Sequence, residues 1–256
     1  MSATTPRAQP VRTASYGAAG ASSRRSGAAL LVVGAILVLA RVLLHVIPAQ
    51  LALDVQQQYI PWFMLPVVVL LGFVGWWVSP RIGIPPVWDD ADGARARLIY
   101  PALLGLAIGA FWVLVDALKP MPYVTHATFP GVIFFYTYSA IFVEVLNRLF
   151  FATIVTWLVA IVILRGRGLI LTYWIVAGVV TLATALDQAG ATYQASGGRP
   201  DVLDLILSFG LAAIMEPVAF YLYRKAGFLA PLIMHFVFYV IWHMVWGGLM
   251  QQVLLR

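Results

Sequence analysis

The chain has 256 residues, of which 62% are hydrophobic and only 10% are charged. Soluble domains average about 45–50% apolar and about 25% charged residues. A water-soluble protein of this length could not bury so much apolar surface, which excludes soluble enzymes and nucleic-acid-binding modules. The composition instead predicts an all-α fold, a polytopic bundle of transmembrane helices that contacts the lipid bilayer. The chain has no cysteine, so disulfides, thiolate nucleophiles and cysteine zinc sites are excluded as well.

Residues 1–27 differ from the rest of the chain. They are rich in Ser, Thr, Ala, Gly and Arg, and no carboxylate occurs before Asp54. Such a segment has nothing to pack, so we predict a disordered basic tail over residues 1–27 and a single transmembrane helical domain over residues 28–256. An organellar transit peptide has the same composition and is the alternative interpretation.

Seven apolar runs are long enough to cross a bilayer, which takes about 20 residues. The fourth run would form a helix about 50 Å long, whereas the hydrocarbon core is about 30 Å thick. This run is therefore either one long helix or two spans that turn near Asn147 and Arg148, which would make eight in total. The runs are 28–48, 59–78, 98–118, 130–164, 169–187, 202–223 and 228–249.

The distribution of positive charge favours seven spans. With the N-terminus inside, seven crossings place eleven of the 16 Lys and Arg residues in inside loops, three outside and two within spans. Eight crossings place ten inside and five outside. Cytoplasmic loops carry an excess of Lys and Arg, so this topology accounts for the net charge of +6 without a nucleic-acid partner. We expect a protein of the cytoplasmic membrane with its N-terminus in the cytoplasm, with an organellar membrane as the alternative.

Ionisable side chains inside the hydrocarbon core are the candidate site residues, because each costs about 2.5–3.5 kcal/mol to insert. Glu144 and Arg148 lie at i and i+4 and share one helix face. They form either a structural ion pair or a carboxylate held near a water-filled cavity. His235, Tyr239 and His243 form a polar stripe along the last span, which is the pattern of a cavity wall.

Asp187 ends the fifth apolar run and is either an interfacial residue or a partner that faces this stripe. We expect Glu144, Arg148, Asp187 and His235 to converge on one intramembrane cavity. The cavity would open toward the cytoplasmic half of the membrane or toward the lipid.

Three other features carry less weight. Asp116 lies near the end of its span, and we expect it to reach the headgroups in a structural role. Glu216 precedes Pro217, whose missing N–H bends the helix, but the sequence leaves open whether Glu216 points inward. Gly105 and Gly109 have the spacing of closely packed membrane helices, which is also common by chance.

Two stretches carry a family resemblance. In the segment 221–239, a basic pair, a glycine turn and an Ala-Pro step lead into a helix that carries His235. This segment resembles the third motif region, with HxxxN, of the CPBP (Abi) family of glutamic intramembrane proteases, which process CAAX proteins and bacteriocins. The stretch from Glu144 to Arg148 resembles the EExxxR motif of that family. The resemblance covers roughly residues 130–250 and implies a helical intramembrane endopeptidase.

The chain departs from the family pattern at three positions. Val143 stands where the family has the first Glu of EExxxR, the base that activates water. Asp187, about forty residues after Glu144, is the nearest candidate at the position of the second-motif His. Tyr239 replaces the Asn of HxxxN.

Three functional interpretations follow. The chain is a catalytically impaired relative that binds or scaffolds a membrane-protein partner, or it is an active endopeptidase that cleaves membrane-associated or prenylated peptides. In the second case Glu144, sharing a proton with Asp187, would be the base and His235 its helper. A transporter is the third interpretation. None of these interpretations calls for a cofactor, and the sequence offers no metal site with plausible ligands and no HExxH, GxSxG or GxGxxG motif.

Overall fold

The computed structural model describes residues 16–47, 61–88, 94–120 and 126–254. In these ranges the chain is almost entirely helical and contains no strand, and seven helices are long and apolar enough to cross a membrane. This confirms the prediction of an all-α transmembrane bundle. The helices are α1 (Tyr16–Val46), α2 (Met64–Val78), α3 (Tyr100–Leu118), α4 (Gly131–Glu144 and its continuation), α5 (Leu169–Ala195), α6 (Val202–Ala226) and α7 (Leu229–Tyr239 and its continuation).

Several helices are extended by segments with tighter or wider turns. A 3₁₀ turn, Ser79–Ile82, follows α2, and a π-helical turn, Arg95–Ile99, precedes α3. The continuation of α4 alternates π and α geometry through Ile163, and α7 continues as a π-helix over Val240–Leu254. π-Helical turns are rare and occur frequently at functional sites.

The first helix begins earlier than the apolar run suggested. Residues 1–15 of the predicted tail lie outside the described residues, but residues 16–27 belong to α1. Ser26 is buried, and its hydroxyl donates to the Trp88 carbonyl (2.9 Å) while it accepts from the Trp88 amide (3.1 Å). This pair of hydrogen bonds holds the start of the first span against the segment that follows α2.

The long fourth run is one crossing. Gly131–Ile163 is a continuous helix of 33 residues, so the alternative with a turn near Asn147 and Arg148 is wrong. The physical reason is that Arg148 has no exposed surface and pairs with buried carboxylates, which a loop at the membrane surface could not provide.

The helix ends define two faces of the bundle. At one face Arg224, at the end of α6, donates to the Ile82 carbonyl (2.8 Å), and Arg97 donates to the Ala226 carbonyl (3.0 Å). We call this the arginine face, because helix ends there carry Arg81, Arg95, Arg165, Arg167 and Arg224. This grouping matches the seven-span topology, and the assignment of the arginine face to the cytoplasm remains a prediction.

The opposite face is tied together by an ion-pair network. Lys119, which follows α3, lies 2.8 Å from Asp201 and 2.8 Å from Asp204 at the start of α6. The Asp201 carboxylate also caps α6 by accepting from the Leu203 amide (3.0 Å). The hydrogen bond from Lys119 holds the pKa of Asp201 below its usual value, and the hydrogen bond to Asp201 raises the pKa of Lys119.

Two helix pairs pack with their backbones in direct contact. A Cβ atom added to Gly75 on α2 would lie 1.8 Å from the Leu149 carbonyl oxygen on α4. A Cβ atom added to Gly105 on α3 would lie 2.3 Å from the Met234 carbonyl oxygen on α7, and one added to Gly109 would lie 2.9 Å from Ile241. The Gly105 and Gly109 spacing therefore marks a real helix contact, which could not be distinguished from a chance pattern without the structure.

The close contact at Gly105 predicts the effect of adding one methyl group. We expect G105A to lower the free energy of unfolding by about 1–3 kcal/mol, because the new methyl group overpacks a backbone contact. G178A is the matched control, since a Cβ atom at Gly178 on α5 would meet nothing within 4 Å. Thermal unfolding in detergent compares the two variants, and equal loss in both would contradict the packing account.

The pKa directions at the opposite face predict a pH dependence. Because the folded state lowers the pKa of Asp201, its charge stabilises the protein above the unfolded-state value of about 3.9 and ceases to do so as the pH falls through the folded value. Asn also caps helices well, so D201N removes the charge and keeps the cap. We expect D201N to unfold at a lower temperature than wild type at pH 7, with the difference beginning to shrink below about pH 4 and vanishing only as the pH falls through the lower folded-state pKa of Asp201. D187N, which alters an exposed carboxylate on α5, should show no such difference at either pH.

Candidate functional site: a buried carboxylate, arginine and histidine cluster

Arg148 is the centre of the site. Its Nη1 lies 3.1 Å from Glu144 Oε1, one helical turn earlier on α4, and its Nη2 donates to Glu216 Oε2 on α6 at 2.5 Å. The guanidinium lies over the Phe220 ring, 4.9 Å from the ring centre. One positive side chain therefore lies between two carboxylates that are 72 residues apart in the sequence.

His235 on α7 completes the cluster. Its Nδ1 forms a hydrogen bond with Glu144 Oε1, so this one oxygen contacts both the imidazole and the Arg148 guanidinium. With His235 neutral the four side chains carry a net charge of −1, and with His235 protonated the charges cancel. We call Glu144, Arg148, Glu216 and His235 the buried cluster.

The cluster lies at one depth in the bundle. From the opposite face, Glu144 is 13 residues into α4 and Glu216 is 14 residues into α6, which corresponds to about 20 Å along each helix. His235 is six residues into α7 from the arginine face, or about 9 Å. These positions agree within a core of about 30 Å and place the cluster in the half nearer the arginine face.

Glu216 is the member whose direction the sequence left open. It precedes Pro217, which lies inside α6, and the structure directs its carboxylate toward Arg148. A carboxylate within an apolar span was therefore the local sign that α6 contributes a side chain to the site, although neither it nor Pro217 indicated the direction.

Tyr239 lies next to the cluster. Its ring centre is 5.9 Å from that of His235, 5.1 Å from that of Tyr136 and 5.3 Å from that of His243. Within the described part of the chain, no hydrogen bond of the Tyr239 hydroxyl is found. Tyr239 thus fills space between helices α4 and α7 rather than pairing with a cluster residue.

Asp187 is not brought together with the cluster. It is exposed on α5 and has no ion pair within the described ranges. It lies 18 residues, or about 27 Å, from the start of α5 at the arginine face, whereas the cluster lies in the half nearer that face. At the depth of the cluster α5 instead presents Tyr173, whose hydroxyl donates to the Phe220 carbonyl (2.7 Å).

The cluster is closed. Glu144 and Arg148 have no exposed surface, and Glu216 and His235 are 3% and 5% exposed. The expected open cavity therefore gives way to side chains packed against one another. Three atoms inside the cluster, Glu144 Oε2, Arg148 Nε and Arg148 Nη1, make no hydrogen bond with the described residues, although Nη1 lies within ion-pair distance of Glu144 Oε1.

A second polar group lies nearer the opposite face and was not predicted. Asp116 is only 2% exposed, so the expectation that it reaches the headgroups is wrong. Its Oδ2 accepts from Trp246 Nε1 (2.8 Å) and Gln251 Nε2 (3.2 Å) and lies 3.1 Å from His126 Nε2. His126 in turn contacts His243, so the polar stripe on α7 faces two different sites.

Sequence reasoning missed this group because its members are dispersed. His126 lies in the connection before α4, where no periodic pattern exists to mark it. Among the described residues, no group of three or more His, Asp and Glu side chains converges as a metal site would require.

Comparisons with known proteins identify no relative of this chain. No family model matches the chain, and no curated protein or solved structure is significantly similar to it. The resemblance to the CPBP family therefore rests on the motif residues alone.

The central position of Arg148 predicts a large effect on stability. R148M leaves two buried carboxylates without a counter-charge, so we expect it to lower the free energy of unfolding by about 3–5 kcal/mol. The triple variant E144Q/R148M/E216Q removes all three charges together, and part of the loss should be recovered.

The control for the Arg148 series is D187N. Asp187 is exposed, so its replacement should change the free energy of unfolding by no more than about 0.5 kcal/mol. Thermal unfolding in one detergent serves for all the variants. If R148M unfolded like D187N, the buried cluster would not be the stabilising interaction that its geometry indicates.

Proposed function

We propose that the protein is a divergent relative of the CPBP intramembrane endopeptidases that binds or scaffolds a membrane-protein partner and does not hydrolyse peptides. The main support is the closed state of the buried cluster. The carboxylate that matches the family motif, Glu144, is bound by Arg148 and His235 with no exposed surface.

Hydrolysis requires parts that this chain replaces. A general base must lie within hydrogen-bond reach of a water molecule that can attack the substrate. Val143, at the family's base position, has no oxygen to offer. A transition-state oxyanion needs a donor aimed at it, and the amide of HxxxN is replaced here by Tyr239. The remaining motif residues are Glu144, Arg148 and His235, and the ion pair and hydrogen bond that they form account for their burial.

What remains of the family pattern is a structural scaffold. The ion pairs and the histidine hydrogen bond hold α4, α6 and α7 together. A bundle stabilised in this way presents fixed helix surfaces to the bilayer, and membrane helices associate through such surfaces by packing and interhelical hydrogen bonds. We therefore place the function in association with another membrane protein.

One observation favours the active endopeptidase as the second candidate. Glu144 Oε1 contacts His235, while Glu144 Oε2 makes no hydrogen bond with the described residues. A carboxylate oriented by an imidazole, with one oxygen unengaged, is the arrangement that could accept a proton from water. The two candidates differ in whether the Glu144 charge is needed for function.

The deciding experiment compares wild type, E144Q and a deletion in the native membrane. For the binding function we expect a partner to copurify stoichiometrically in mild detergent, with recovery per folded chain changed less than twofold by E144Q. The termini of membrane proteins should be identical in all three strains, because no peptide is cut.

Each other outcome has a definite meaning. An uncleaved precursor that accumulates equally in E144Q and the deletion, but not in a D187N strain, would establish the endopeptidase instead. No copurifying partner together with unchanged termini would overturn both candidates. Expression and monodispersity of E144Q must match wild type, since the variant also removes one ion pair of Arg148.

A further inference from the structure

Four helix ends meet at one corner of the arginine face. The turn Ser79–Ile82 after α2 contacts the end of α4 at Trp157–Ile163. Arg224, at the end of α6, donates to the Ile82 carbonyl (2.8 Å), and its guanidinium lies 5.6 Å from the centre of the Tyr173 ring on α5. The ends of α2, α4 and α6 and the start of α5 are therefore brought together.

These helix ends carry five cations. Arg81 belongs to the turn after α2, Arg165 and Arg167 lie in the short turn between α4 and α5, and Lys225 follows Arg224 on α6. We call these five residues the basic corner. Arg224 is half-buried, and the other four are exposed. The proposed function does not use them.

The described residues supply no negative charge to the basic corner. None of its five cations forms an ion pair with a described residue. The described carboxylates belong to the buried cluster or lie nearer the opposite face. Like charges concentrated in this way repel one another, and an anion bound among them would relieve the repulsion.

Two guanidiniums of the basic corner are held in place and still have free donors. The Arg81 guanidinium lies over the Trp77 ring, 3.8 Å from the ring centre, and its Nη1 donates to the Trp77 carbonyl. Arg224 also uses only its Nη1 for hydrogen bonds with described residues. The Nε and Nη2 atoms of both side chains remain available, and the fork of a guanidinium matches the oxygens of a phosphate group.

Apolar side chains border the basic corner. Trp77 near the end of α2 is 62% exposed, Ile163 at the end of α4 is 64% exposed, and Leu171 near the start of α5 is 66% exposed. On a membrane helix such side chains face the lipid, and tryptophan is enriched at the level of the headgroups. A ligand that contacts both the cations and this border carries a phosphate group and acyl chains, whereas free phosphate would contact the cations alone.

We propose that the basic corner binds one phospholipid with a net negative headgroup, of the phosphatidylglycerol type. Its phosphate accepts hydrogen bonds from the guanidiniums, and its acyl chains lie along the exposed side chains of α2, α4 and α5. Basic pockets between membrane helices bind anionic headgroups in this way. A zwitterionic headgroup fits less well, because the five cations repel its amine.

The test measures lipid binding to the full chain in detergent by native mass spectrometry. We expect phosphatidylglycerol to bind at least fivefold more tightly than phosphatidylcholine with the same acyl chains, and one phosphatidylglycerol per chain to saturate the site. R81Q and R167Q should each weaken the affinity for phosphatidylglycerol about fivefold, the contribution of one cation near an anionic membrane surface. R199Q is the matched control, because Arg199 is also exposed but follows α5 at the opposite face, and its affinity should equal that of wild type.

A second measurement compares unfolding temperatures. A ligand that binds only the folded state stabilises it, so phosphatidylglycerol should raise the unfolding temperature of wild type and R199Q more than that of R81Q or R167Q. An equal rise in all four proteins would overturn the proposal.

Three results of the binding measurement would also overturn it. Equal affinities for the two lipids would indicate that carboxylates outside the described residues, Asp89, Asp90 and Asp92, neutralise the corner. An equal loss in R199Q would indicate a general attraction to a positive chain. Displacement of the lipid by inorganic phosphate would indicate a site for free phosphate instead.

Discussion

A guanidinium with no exposed surface inside an apolar bundle constrains everything around it. Arginine does not lose its proton in proteins, so Arg148 must be matched by negative charge wherever it is buried. Two carboxylates supply that charge, Glu144 from the same helix and Glu216 from α6. Because Glu144 also contacts His235, three helices are held at one depth. Removing Arg148 would leave two carboxylates without a counter-charge in a medium that solvates them poorly.

The glycine contacts lie directly beside this cluster. Gly75 packs on the carbonyl of Leu149, the residue after Arg148, and Gly105 packs on the carbonyl of Met234, the residue before His235. Helices α2 and α3 therefore press against the backbone that carries the charged side chains. Charge pairing determines which side chains face inward. Because Gly75 and Gly105 lack a Cβ atom, α2 and α3 can pack closely against the helices that carry these side chains.

The sequence predicted the features that repeat along the chain and missed those that depend on the packing of distant helices. Apolar length fixed the seven spans, and the i, i+4 spacing identified Glu144 and Arg148 as neighbours. The inward direction of Glu216 depends on the rotation of α6, which no local pattern encodes. Motif spacing predicts Asp187 at the cluster, but its position along α5 places it at a different depth in the membrane. His126 is in a connection, where spacing carries no signal.

Tyr239 affects both the burial of the cluster and the hydrogen-bond donors available for catalysis. Its ring lies among the rings of His235, Tyr136 and His243, all with centres within 6 Å. An Asn at this position would supply an amide donor and would leave most of the volume of the phenol ring open. Tyrosine removes the amide and fills the volume at once. A smaller side chain at position 239 would remove the amide and still leave room for water near Glu144. The phenol ring of Tyr239 instead fills that room and stabilises the closed bundle. This is why the ring contacts of Tyr239 favour a binding function over a slow enzyme.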